Sequence, residues 1–79
     1  MNNFTVYTMD GCHYFEKVVE LLEEAGQKFV TYKIEQDFTP ESFANEFGRG
    51  ATFPQVTVDG NKLGGAAETV KYLKENKLV

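Results

Sequence analysis

Two extended patterns separated by one amphipathic helix occupy the start of the chain, and this arrangement restricts the fold more than any other feature. Phe4 to Thr8 alternates apolar and hydroxylated residues, which is the period of a strand. Met9-Asp10-Gly11 breaks it. From His13 onward Phe15, Val18, Val19, Leu22 and Ala25 recur at spacings of three and four, one face of a helix, and Gly26 is suited to end it. Phe29, Val30, Tyr32 and Ile34 then form a second strand. A strand–helix–strand unit closes almost always as a right-handed parallel crossover. The chain is therefore committed to a sheet with at least one parallel pair and a helix packed on it.

The remaining residues extend that sheet. Thr39-Pro40 is a helix start, a hydroxyl cap followed by proline at the first helical position. Phe43 and Phe47 lie one turn apart on this helix and Gly48 ends it. Pro54 to Val58 reads as a third strand, and Asp59-Gly60 turns it back into a short strand around Lys62 and Leu63. Gly64-Gly65 breaks the pattern before a last helix from about Ala66 to Asn76, with Val70 and Leu73 facing inward. The expected order is β-α-β-α-β-β-α: an α/β fold with a four-stranded mixed sheet and three helices, of the thioredoxin-like kind, in one domain over residues 1–79.

Composition narrows the function. Twelve acidic residues against eight Lys and Arg give a net charge of −4. Residues 1–40 hold seven acids and three Lys, and no basic stripe exists, so a nucleic-acid partner is not expected. The opening Met-Asn-Asn-Phe-Thr has no basic region followed by an apolar stretch, and nothing approaches a membrane span. A cytoplasmic protein with no membrane partner is the expectation. One cysteine makes no internal disulfide, and one Cys with one His makes no zinc site, so no metal is expected. Phosphate-loop spacing is absent as well.

Cys12 follows the first strand and is read as immediately preceding the first helix, where free N–H groups and the helix dipole favour a thiolate. By position alone it fits a reactive nucleophile and an inert small core residue about equally. Pro54 alone reads as a trans proline at a strand start, Gly64-Gly65 as an ordinary turn, and Arg49 as a loop arginine.

Three segments change this balance. Gly11-Cys12-His13-Tyr14-Phe15 resembles the Gly-Cys-Pro-Tyr-Cys active-site segment of the glutaredoxin family. Thr52-Phe53-Pro54-Gln55-Val56 resembles its Thr-Val-Pro-Gln-Ile segment. Val58 to Gly65 resembles its hairpin and double glycine, and Val70 to Leu78 its terminal helix. All lie in the family's order and spacing.

The resemblance implies a thiol–disulfide oxidoreductase with glutathione as co-substrate. Cys12 would be the nucleophile. Tyr14, Arg49, Phe53, Pro54, Gly65, Ala66 and Ala67 would hold glutathione, with Pro54 cis and the amides after the double glycine receiving the γ-glutamyl carboxylate. The partners implied are glutathionylated or disulfide-containing proteins, ribonucleotide reductase among them, met by a monomer.

Four departures refine that expectation. Phe15 replaces the second active-site cysteine, so the chain has no resolving thiol and a monothiol route is expected. His13 replaces the proline, and if protonated it would favour the thiolate. Met9 stands where a basic residue is usual, with the acidic Asp10 beside it, a balance that opposes the thiolate. Ala67 stands where a polar side chain commonly contacts the ligand. Two other readings remain open at this stage: a carrier of a [2Fe–2S] cluster ligated by two Cys12 thiolates and two glutathiones, and a binding module with little redox activity.

Overall fold

The structure, a computed structural model, describes residues 3–79; Met1 and Asn2, part of the segment read as lacking a leader, lie outside them. Seven elements follow one another: β1 (Asn3–Thr8), α1 (Phe15–Glu24), β2 (Lys28–Lys33), α2 (Pro40–Phe47), β3 (Gln55–Val58), β4 (Asn61–Gly64) and α3 (Ala66–Glu75). The sheet order is β2-β1-β3-β4. β1 runs parallel to β2, with Phe4 opposite Phe29 and Thr8 opposite Lys33. β3 is antiparallel to both β1 and β4. The expected mixed four-stranded sheet with three helices is thus the observed fold.

Alternation along β1 divides the molecule. Phe4 and Val6 point to one face, where they meet Val56 and Val58 of β3, Val18 and Leu22 of α1, and Leu73 of α3; all are buried. Tyr7 points to the other face and meets Phe47 of α2 at 5.0 Å between ring centroids, Phe38 at 5.4 Å and Tyr32 at 5.6 Å. Thr39 caps α2 as expected: its hydroxyl accepts from the Ser42 amide, and Ser42 Oγ accepts from the Thr39 amide. Lys62 of β4 donates to the Glu46 carbonyl in the last turn of α2 and lies 5.5 Å from the Phe47 ring centroid, tying that helix to the hairpin.

Two boundaries and one buried position differ from expectation, each for a local reason. α1 starts at Phe15 rather than near His13, because the Cys12 amide bonds back to the Met9 carbonyl and Tyr14 is the N-cap. Cys12 therefore lies two residues before the cap, not next to the helix. β3 starts at Gln55 rather than Pro54, since proline brings no ladder donor. On α3 the inward residues are Thr69, with 0% exposure, and Leu73; Val70 is only half-buried. Thr69 tolerates burial because its hydroxyl donates to the Gly65 carbonyl at 2.9 Å. Among the described residues no helix is long and apolar enough to cross a membrane.

Candidate functional site

The C-terminal end of β1 opens into a tight turn that carries Cys12. Gly11 sits at φ +78°, a left-handed conformation that L side chains rarely adopt, so glycine suits the reversal before the cysteine. The turn closes with the 3.3 Å bond from the Cys12 amide to the Met9 carbonyl. Cys12 is partly exposed, His13 is exposed, and Tyr14 keeps 62% of its surface open. On one side Cys12 and Phe15 line a cleft with Asp10, Glu16, Lys33 and Asp37. Lys33 Nζ lies 2.7 Å from Asp10 Oδ1 across it.

A second groove of about 650 Å³ begins at Tyr14, two residues after Cys12, and runs to the start of α3; Cys12 itself does not line it, and its volume is inside the roughly 300–1,000 Å³ range of small-ligand sites. Tyr14, Phe53, Pro54, Gly65, Ala66 and Ala67, six of the residues marked by the resemblance, line it together. The Phe53–Pro54 bond is cis, as the resemblance implied. Pro54 is buried, and its carbonyl would lie 3.5 Å from a Cβ at Gly65, so the start of β3 faces the start of α3 at close range. Gly64 sits at φ +122°, and a Cβ there would meet the Glu68 side chain at 2.9 Å; the double glycine is what lets that approach occur. Arg49 is exposed and is not among the lining residues.

Four lining residues escaped sequence reasoning: Lys17, Thr52, Glu68 and Val70. Lys17 lies one helical turn after Tyr14, a spacing that already puts both on one face. Glu68 accepts from the Gly65 amide at 2.8 Å, so a carboxylate of the chain itself holds the amide of the N-cap residue that precedes α3. The groove therefore has an aromatic and aliphatic wall from Tyr14, Phe53, Pro54 and Val70, one cation and one carboxylate. Phe53 is backed from the aromatic face, stacking on Phe43 at 4.3 Å with a 20° interplanar angle. Among the described residues no three His, Cys, Asp or Glu side chains gather as a metal site.

The glutaredoxin family model matches residues 4–63. Glutaredoxin-C2 of Arabidopsis thaliana is 30% identical over 77 residues, covering 94% of this chain and 69% of that one. Human glutaredoxin-3 is 31% identical over 65 residues, 82% of this chain but 19% of its own length, so the chain spans about a fifth of that relative. The crystal structure of glutaredoxin 1 from Francisella tularensis, complexed with cacodylate, superposes with a TM-score of 0.76 at 23% identity, covering 99% of this chain and 98% of that one. Matched along most of its length by the family model, and folded as that structure is, this chain belongs to the glutaredoxin family.

Proposed function

We propose that this chain is a glutathione-dependent thiol–disulfide oxidoreductase that works through Cys12 alone. The observation that carries the reading is the pairing of Cys12 with Phe15 in one cleft: where a second thiol would stand, a half-buried ring stands instead. Direct intramolecular release of a target is then closed, and glutathione must complete the cycle.

In the first step the Cys12 thiolate attacks the glutathionyl sulfur of a protein–glutathione disulfide. The new S–S bond joins Cys12 to glutathione, the old one breaks, and the target leaves as a thiolate that takes a proton from water. In the second step a glutathione thiolate attacks the glutathionyl sulfur on Cys12. Glutathione disulfide leaves and the Cys12 thiolate is restored, so each turnover consumes one free glutathione, the other half of the glutathione disulfide coming from the substrate. During both steps the groove would hold the glutathione moiety, with its chain along Phe53 and Pro54 and its γ-glutamyl end near Gly65, Ala66 and Ala67. A disulfide target such as that of ribonucleotide reductase would be captured as a mixed disulfide and released by glutathione. The chemistry needs a reducing compartment, and the cytoplasm is the one proposed.

The test is glutathione-coupled reduction of a small glutathionyl mixed disulfide, followed through glutathione reductase and NADPH. Cys12→Ser should fall to the uncatalysed rate while its circular dichroism spectrum stays that of the parent. Turnover retained by that variant would overturn the proposal.

A further inference from the structure

The cleft beside Cys12 is acidic on three sides. Asp10 belongs to the cysteine's own turn, Glu16 to α1, and Asp37 to the segment after β2. His13 follows the cysteine on the surface. Of the residues lining the cleft, Lys33 is the one cation. Its place is fixed by the backbone. Parallel pairing sets Lys33 opposite Thr8, and the Ile34 amide bonds to the Thr8 carbonyl at 3.0 Å, so the end of β2 lies against the residue from which the cysteine turn departs. The Lys33 amide donates to Asp37 Oδ2 at 2.9 Å, and the Asp37 amide donates to the Lys33 carbonyl at 2.8 Å. From this anchored backbone the ammonium reaches over to Asp10.

We propose that Lys33 is a positioning residue for Cys12, cancelling the Asp10 carboxylate and holding the Met9–Gly11 turn against β2, so that the thiolate can be approached by an anionic reaction partner. The inference rests on the reading of Cys12 as the nucleophile. It supplies from another strand the cation missing at Met9. Without the Lys33 ammonium, an anionic reagent would approach past three carboxylates with no cation among the residues that line the cleft. Unit charges a few ångströms apart near a surface interact strongly enough to matter, yet they are screened over about 10 Å at 0.1 M salt. The effect must therefore depend on the charge of the reagent and on ionic strength, which a purely structural role would not.

Alkylation of Cys12 reads this directly. The thiolate displaces iodide from iodoacetate, an anion, or from iodoacetamide, its neutral counterpart, forming one S–C bond in either case. At low salt Lys33→Gln should lower the ratio of the iodoacetate to the iodoacetamide rate by about three- to tenfold. Asp10→Asn should raise the ratio, and the double variant should return close to the parent. In 1 M salt all four proteins should converge. A ratio unmoved by Lys33→Gln at low salt, or moved equally at high salt, overturns the proposal. The assay uses no glutathione, so it separates from the activity proposed above. A chain that alkylates as expected but does not turn over loses only the activity. A chain that turns over with an unmoved ratio loses only the role of Lys33.

Discussion

The two faces of the sheet are built from different chemistry and are closed to different degrees. Under α1 and α3 the contacts are mostly aliphatic, and Val6, Val18, Leu22, Val56 and Leu73 all have 0% exposure. Under α2 the contacts are rings: Tyr7, Tyr32, Phe38, Phe43, Phe47 and Phe53, of which only Phe43 is buried, and it keeps 7% exposure. Branched aliphatic residues pack densely in a few rotamers and leave little room for a ligand. Rings form a stiff, less complete layer, and theirs continues outward through Phe53 into the groove wall. The difference teaches that one face supplies stability, while the other shapes the surface on which glutathione is proposed to lie.

The largest test of that division is on the aliphatic face. Leu22→Ala should cost about 2–5 kcal/mol, because the surrounding side chains cannot collapse to fill the space. A urea titration would read it as a lowered midpoint with an unchanged slope. In the fraction still folded, the KM for glutathione should stay within about twofold of the parent, since Leu22 is not among the residues that line the groove. A large change in KM would show that the two faces are coupled and would break the comparison.

Which parts of this were legible beforehand follows from the range of each interaction. The sheet came from periods of two and three to four, signals confined to a few neighbouring residues, and it stood. The start of α1 did not, because helical spacing beginning at Phe15 says nothing about a turn closed by the Cys12 amide on Met9. Thr69 was passed over in favour of Val70 because apolar character was the criterion; the hydroxyl's bond to the carbonyl four residues earlier is what makes a buried threonine acceptable. The groove residues named through the family were marked by motif, whereas Lys17 and Glu68 were open to a reading of helical position. The Asp10–Lys33 pair was not legible at all, since it depends on the parallel register that brings Thr8 and Lys33 together.

A smaller effect is expected on the aromatic face. Phe43 stacks on Phe53 and also meets Phe38 at 5.6 Å and Phe47 at 4.9 Å. Phe43→Leu keeps an apolar side chain of similar bulk but removes the ring contacts, so the loss should be about 1–2 kcal/mol. Its kinetic signature should be the opposite of Leu22→Ala: a KM for glutathione raised more than kcat is lowered, as Phe53 loses its backing. If both variants leave KM alone, the rings under α2 are a second core and nothing more.

The smallest expected effect distinguishes the faces by pH. The Tyr7 hydroxyl is pushed above the ordinary tyrosine value, first by burial among the rings, then by the charges of Glu46 and Tyr32. The folded chain therefore keeps the Tyr7 proton to higher pH than the unfolded chain does, whose tyrosines titrate near about pH 10. The resulting contribution to stability is complete below about pH 10 and is lost as pH rises from there through the folded value. Tyr7→Phe should remove this part of the alkaline decline. Urea midpoints measured at about pH 8 and about pH 10.5 would show it: the parent should fall further between the two than Tyr7→Phe does. Leu22→Ala, lower at both values, should fall by as much as the parent. Parallel declines in parent and Tyr7→Phe would mean that the ring layer shields Tyr7 too little for its proton to matter, and the face under α2 would then be open to water more deeply than its ring contacts imply.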